Sequence, residues 1–128
     1  MFISKINIDI IIKFLLQKSS FTQVQLETLF IESIARYKKI KLIDKIYMRK
    51  RKNISKGSFL RTLKQAKENL KKSIYTLILA EYLNLIDEGT NEKLIQIGIF
   101  LKKTEKNIIK ENSLKIIENI ERAIDEII

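Results

Sequence analysis

The sequence predicts an all-α fold, and three observations lead to this prediction. The 128 residues include no proline and only three glycines, so little in the chain interrupts a helix. Apolar residues recur every three or four positions along most of the chain, which is the spacing of one helix face. No segment has the alternating partner strand that a hairpin needs. We therefore expect a single domain over residues 1–128, with five or six helices and one long central helix at about Ser58–Ile86.

Two helices are expected before residue 40. The segment Ile3–Gln17 is ambiguous, because residues 6–10 alternate as a strand would, whereas the apolar residues that follow suit a helix. Its leucine-rich end and the lack of a hairpin partner favour the helix. Thr22 and Gln25 resemble a capping box, in which each side chain bonds the backbone of the other residue. They predict a second helix from Gln23 to about Lys39.

A short helix at about residues 40–48 is expected next, followed by the long central helix. Ser55 or Ser58 can cap the central helix. Its first half is basic on one face and apolar on the other, where the apolar residues are Phe59, Leu63, Ala66, Leu70, Ile74 and Leu77. From Ile74 to Leu83 apolar residues surround most of the helix. This pattern predicts that the second half, with Tyr75 and Tyr82, lies inside a core.

Two further helices complete the prediction. Asp87–Thr90 is typical of a turn, Asn91 is a suitable cap, and the next helix runs to about Lys110. The terminal segment 113–128 is amphipathic and has four regularly spaced isoleucines: Ile117, Ile120, Ile124 and Ile127. These isoleucines either pair two subunits in a homodimer or pack against their own subunit. The sequence favours neither interpretation over the other.

Several classes of function are excluded by residue types that the chain lacks. With neither cysteine nor histidine, it cannot form disulfides, histidine–cysteine zinc fingers, thiol nucleophiles or a Ser-His-Asp triad. It has no glycine-rich phosphate loop either. We expect a protein that is not an enzyme and uses no cofactor or metal. Its apolar stretches are too short for a membrane span and no signal peptide is evident, so we expect a cytoplasmic location.

The positive charge is concentrated in less than a third of the sequence. Between Arg36 and Lys72 there are fifteen lysines and arginines against two acidic residues, a net charge of +13. The remainder of the chain carries −3, which gives the total of +10. A merely solvated surface would spread these charges along the chain. Concentration of one sign indicates a polyanionic partner.

The segment Ile54–Ala66, I-S-K-G-S-F-L-R-T-L-K-Q-A, resembles the turn and recognition helix of winged-helix and related helix-turn-helix transcriptional regulators. In those families an apolar-Ser pair closes the turn, and apolar residues at this spacing hold the helix to the domain. The resemblance implies a helix-turn-helix-like fold whose intervening polar residues enter the major groove. It covers about a tenth of the chain. It departs from the family pattern at Lys52 and Arg49, where an aliphatic and a small residue are normally buried, and no strand pair for a wing follows.

The resemblance implies that five residues of this segment face DNA: Lys56, Ser58, Arg61, Thr62 and Gln65. Arginine can donate two hydrogen bonds to guanine O6 and N7, and glutamine can pair in a bidentate manner with adenine. Lysines and arginines nearby would contact phosphates. The full set expected to contact nucleic acid is Lys38, Lys39, Arg49, Lys50, Arg51, Lys52, Lys56, Ser58, Arg61, Thr62, Lys64, Gln65, Lys71 and Lys72. We therefore expect a small transcriptional regulator, associated with the nucleoid, that binds double-stranded DNA.

Two other partners remain open at this point. An adaptor or inhibitor could bind an acidic protein surface, such as a subunit of the transcription machinery or of an RNP, provided that apolar residues are exposed beside the charge. RNA is a further polyanion, although no aromatic-bearing sheet motif is evident in the sequence. An anionic membrane is disfavoured, because the basic segment lacks the apolar face of an interfacial helix.

Overall fold

The computed structural model describes residues 9–49, 54–104 and 110–128, and those ranges contain six helices and no strand. The helices are α1 (Ile10–Lys18), α2 (Gln23–Ala35), α3 (Leu42–Tyr47), α4 (Lys56–Tyr82), α5 (Thr90–Thr104) and α6 (Lys110–Ile127). The prediction of an all-α fold with one long central helix is therefore confirmed. None of the helices in these ranges is both long enough and apolar enough to cross a bilayer.

Side-chain caps fix where the first helices begin. The carboxylate of Asp9 accepts hydrogen bonds from the first backbone amides of α1. At the start of α2, Thr22 Oγ1 accepts from the amide of Gln25 at 3.1 Å, and Gln25 Oε1 accepts from the amide of Thr22 at 3.2 Å. The predicted capping box is thus confirmed. Helix α2 stops at Ala35, four residues before the predicted end, because residues 36–39 form turns.

The long helix α4 begins and ends through two different devices. Ser55 Oγ accepts from the amide of Ser58 at 3.1 Å, so Ser55 is the capping serine. At the other end Asn84 adopts the left-handed conformation, with φ of 55°. The amide of Leu85 then donates to the carbonyl of Ala80 at 2.9 Å, which closes the helix in a Schellman-type turn. For this reason α4 ends at Tyr82 and not at the predicted Ile86.

The chain divides into two compact units, with the boundary inside α4. We call Met1–Ile74 the N-terminal unit and Tyr75–Ile128 the C-terminal unit. The core of the N-terminal unit joins one residue from each of three helices, Ile31 of α2, Ile46 of α3 and Phe59 of α4, all of them buried. The half-buried residues packed around them are Leu42, Met48 and Ile54. This core decides which face of α4 turns inward.

A hydrogen-bonded clamp holds the middle of α4 in the N-terminal unit. The side-chain amide of Asn69 donates to the carbonyl of Ser20 at 2.6 Å and to Gln25 Oε1 at 2.9 Å. Gln25 also belongs to the capping box of α2. One amide on α4 therefore fastens both the α1–α2 connection and the first turn of α2.

The C-terminal unit buries few apolar side chains. Among its described residues, Ile120 of α6 is the one fully buried hydrophobic side chain, at 6% exposure. An apolar groove of about 160 Å³ lies between α5 and α6 and is lined by Ile97, Phe100, Leu101, Ile116, Asn119, Ile120 and Ala123. Ile120 therefore packs beside α5 of its own chain. Ile117 and Ile127 are half-buried, and Ile124 is exposed.

The prediction that the second half of α4 lies inside a core is wrong. Tyr75, Ile78 and Tyr82 are 71%, 59% and 81% exposed, and Leu77, Leu79 and Leu83 are exposed as well. Apolar composition on all sides predicts burial only where other elements of the chain are available to cover the helix. In the described residues the large apolar side chains of this half of α4 stay exposed.

Candidate nucleic-acid interface

Helix α4 has two distinct faces within the N-terminal unit. Phe59, Leu63 and Ala66 are buried and anchor the helix to the core. Because these residues lie on one side of the helix, the residues between them turn outward. The outward-facing side chains of this half are exposed: Lys56, Arg61, Lys64, Gln65, Lys67, Glu68, Lys71 and Lys72. One acidic residue, Glu68, stands among five lysines and one arginine.

Two of the expected contact residues lie at the edge of this basic face. Ser58 and Thr62 are half-buried and line a cleft of about 410 Å³. The rest of the cleft lining is Gln23, Val24, Glu27, Arg49 and Ile54. The backbone amide of Ser58 is already used by the Ser55 cap. Because the side chains of Ser58 and Thr62 are half-buried, their hydroxyl groups are less accessible to a ligand than the basic side chains of α4.

A second basic surface follows the end of α2. Arg36, Lys38, Lys39 and Lys41 are all exposed in the connection between α2 and α3. Tyr37 lies in the same connection and is 86% exposed. Tyr37 lies outside α2 because the helix stops at Ala35, where the amide of Lys38 donates to the carbonyl of Ala35 in a turn. The basic neighbours on both sides of Tyr37 are the sequence signal that could have revealed this exposure.

Arg49 does not belong to the exposed set. It is 3% exposed, and its Nε lies 4.0 Å from Oε2 of Glu27, which is also buried. A guanidinium this little exposed is poorly placed to meet a phosphate, so Arg49 is not part of the exposed basic surface. The physical reason is the carboxylate of Glu27, which faces the arginine in the interior of the N-terminal unit. The counterion stands 22 residues earlier in the sequence, and no local pattern links the two.

The remaining basic residues of the predicted set divide into two groups. Lys38 and Lys39, as described above, are exposed, whereas Lys50, Arg51 and Lys52 lie outside the described residues. Lys45, which was not in the set, is engaged in an ion pair: its Nζ lies 2.9 Å from Oε2 of Glu32. This half-exposed pair links α3 to α2 and contributes up to about 1 kcal/mol.

The division into two units coincides with a division of charge. The N-terminal unit has 18 lysines and arginines and 5 acidic residues, a net charge of +13. The C-terminal unit has 7 basic and 10 acidic residues, a net charge of −3. The unit that contains the basic face of α4 is therefore the one that can attract a polyanion.

The exposed face of α4 has dimensions and chemistry that suit a nucleic acid. From Lys56 to Lys72 the helix extends about 24 Å at 1.5 Å per residue. An α-helix fits the major groove of B-DNA, which is about 12 Å wide. Arg61 and Gln65 lie one helical turn apart on the same face, with lysines on both sides for phosphates. Within the described ranges, no group of three acidic side chains is arranged to hold a metal ion.

Comparison of the chain with protein-family models, with curated proteins and with solved structures finds no match.

Proposed function

We propose that this protein binds double-stranded DNA through the basic face of α4 and acts as a small transcriptional regulator. The observation that carries the proposal is the arrangement of α4 in the N-terminal unit. Phe59, Leu63 and Ala66 hold the helix to the core, and the opposite side presents exposed cations in a unit of net charge +13. Cations held on the outside of a rigid helix attract phosphates and position the helix against a groove.

The proposal assigns different roles to the exposed residues. Lys38, Lys39, Lys64, Lys71 and Lys72 supply phosphate contacts, which give affinity without sequence information. Arg61 and Gln65 have the side chains that recognise guanine and adenine in the major groove. Lys56, at the first turn of α4, adds its charge at the end of the helix where anions are favoured.

The experiment that tests the proposal is a titration of a random DNA duplex with the protein at several salt concentrations. Each phosphate neutralised adds about −0.9 to the slope of log K against log salt. With five lysines engaged, we expect a slope of about −4 to −5. Failure to bind duplex DNA even at low salt would remove the proposal and leave RNA or an acidic protein surface as the partner.

RNA is a second candidate ligand, and one observation favours it. Tyr37 projects from the connection between α2 and α3 with Arg36, Lys38 and Lys39 beside it, and all four are exposed. Exposed aromatic rings among cations provide a stacking platform for unpaired bases, with about 1–3 kcal/mol per stacked base. Tighter binding of single-stranded RNA than of duplex DNA, weakened by Tyr37→Ala, would favour RNA. Tighter binding of the duplex that is insensitive to Tyr37→Ala supports the DNA proposal.

A further inference from the structure

The cleft at the edge of the basic face of α4 has the size and the lining of a small-molecule site. It lies within the N-terminal unit, and its volume of about 410 Å³ falls in the range of sites that hold one small ligand. Helix α2 contributes Val24 and Glu27 to its lining, and the first turns of α4 contribute Ser58 and Thr62. A ligand in the cleft therefore contacts both helices.

The carboxylate of Glu27 has one oxygen without a hydrogen-bond donor in the described residues. Glu27 is 3% exposed, and its Oε1 is buried and accepts no hydrogen bond there. Its other oxygen, Oε2, lies 4.0 Å from Nε of Arg49, which is longer than a hydrogen bond. A buried acceptor without a donor is costly, and native structures leave few of them.

A ligand can supply the donor that Oε1 of Glu27 needs. Glu27 lines the cleft, so its carboxylate lies next to the space that a ligand would occupy. The terminal torsion of a glutamate side chain is broad, and rotation about it turns either oxygen towards the cleft. The buried carboxylate thus indicates a ligand with a hydrogen-bond donor at this end.

The charges around the cleft favour a neutral ligand. The lining contains one carboxylate, from Glu27, and one guanidinium, from Arg49, so it has no net charge. The N-terminal unit as a whole carries +13, which repels a cationic ligand. The carboxylate in turn repels an anion at the position of the donor. An uncharged amino group is the donor that meets both conditions.

The other walls of the cleft indicate the rest of the ligand. Val24 and Ile54 supply apolar surface against which a flat ring can pack. Ser58 and Thr62 are one helical turn apart on α4, and their hydroxyl groups can donate to or accept from polar substituents of the ring. A heterocyclic ring with an amino group and further polar substituents matches the apolar and the polar walls together.

We propose that this cleft binds a small neutral heterocycle whose amino group donates a hydrogen bond to Oε1 of Glu27. The ligand lies between α2 and the first turns of α4. The inference does not depend on the proposed function, because binding of the small molecule is measured without nucleic acid.

The first test titrates the ¹⁵N-labelled chain with two pairs of nucleosides, cytidine with uridine and adenosine with inosine. The first member of each pair has an amino donor where the second has a carbonyl acceptor. We expect saturable amide shifts at Glu27, Ser58 and Thr62, and binding of an amino nucleoside about tenfold tighter than its carbonyl partner, because its donor meets a charged acceptor. Equal affinity within both pairs would overturn the role of Glu27. No saturable shift with either amino nucleoside at millimolar concentration would overturn the site.

The ligand is varied in that test, and not Glu27, because the loss of this carboxylate also affects the buried Arg49. A second test therefore fills the cleft at an exposed, uncharged position. Val24→Trp enlarges a side chain of the lining and should remove the saturable shifts seen with the better nucleoside. Ile43→Trp is the matched control, at an exposed position of α3 outside the lining, and should bind as wild type does.

Unchanged helical circular dichroism checks that both tryptophan variants are folded. Wild-type affinity in the Val24→Trp protein would place the nucleoside elsewhere and overturn the assignment to this cleft. An equal loss of affinity in both variants would also overturn it, because the loss would then not depend on the cleft.

Discussion

Arg49 shows how one buried residue changes the assignment of a whole cluster. In the sequence it opens a run of four basic residues, and in the structure it faces Glu27 at 4.0 Å inside the N-terminal unit. A buried charge without its counterion is costly, whereas the intact pair contributes little net stability relative to apolar residues. The pair therefore makes the fold sensitive to the loss of either member.

We predict that Glu27→Ala lowers the free energy of unfolding by about 3–5 kcal/mol, because it removes the carboxylate that faces the buried Arg49. The double variant Glu27→Leu/Arg49→Met should recover most of the loss, since it removes both charges and keeps the volume. Urea denaturation at one protein concentration measures both effects. A loss under about 1 kcal/mol in the single variant would show that the two side chains do not form a coupled buried pair.

Two exposed residues of α4 separate base recognition from phosphate binding. Arg61→Ala should cost about 1–3 kcal/mol on a selected DNA sequence and little on random DNA, because it removes a bidentate contact to guanine. Lys64→Ala should weaken binding to all sequences alike and reduce the salt slope by about one phosphate.

Competition binding on a selected duplex and a random duplex measures both variants. Lys115→Ala, an exposed lysine of the C-terminal unit, is the matched control and should bind as wild type does. Equal effects of Arg61→Ala and Lys64→Ala on both duplexes would contradict a recognition role for Arg61.

At the scale of elements, α4 shows which boundaries a sequence can predict. Its start was predicted to within two residues, with the cap left open between Ser55 and Ser58, and the structure has Ser55 as the cap. Its inward face follows from the spacing of Phe59, Leu63 and Ala66, which is a local signal. The end of the helix was not predicted, because it depends on the left-handed backbone of Asn84. Asparagine can adopt this conformation, but an asparagine in the sequence does not by itself predict it. The exposure of Tyr75 could not be predicted either, because burial depends on what other elements cover the helix.

Substitution of Gly98, within α5, and of Gly89, directly before α5, should change the free energy of unfolding in opposite directions. Gly98 lies within α5, and a Cβ added there meets nothing within 4 Å. Gly98→Ala should raise the free energy of unfolding by about 0.5–1 kcal/mol, because alanine restricts the unfolded chain and favours the helix. Gly89 has a φ of 81°, which is unfavourable for a residue with a Cβ, so Gly89→Ala should lower the free energy of unfolding by about 1–2 kcal/mol.

Urea denaturation at a fixed protein concentration measures both glycine variants. Equal effects of the two substitutions would contradict the conformational argument for α5 and the turn before it.

At the scale of the whole molecule, the sequence predicted where the positive charge lies more reliably than which individual cations are exposed and which face a carboxylate. The segment Arg36–Lys72 falls entirely in the N-terminal unit, and most of its described cations are exposed. Arg49 and Lys45 are exceptions because each faces a carboxylate that lies elsewhere in the sequence, Glu27 and Glu32 respectively. Long-range pairing of this kind cannot be derived from local spacing. It engages individual residues with carboxylates without changing the net charge of the unit.

The central claim is that the basic face of α4 contacts DNA, and an NMR titration of the ¹⁵N-labelled protein with a duplex tests it most directly. At a salt concentration that permits binding, we expect amide shifts to change at Arg61, Lys64, Gln65 and Lys71, with small changes in α6. Changes confined to the C-terminal unit, or none at saturating duplex, would contradict the assignment.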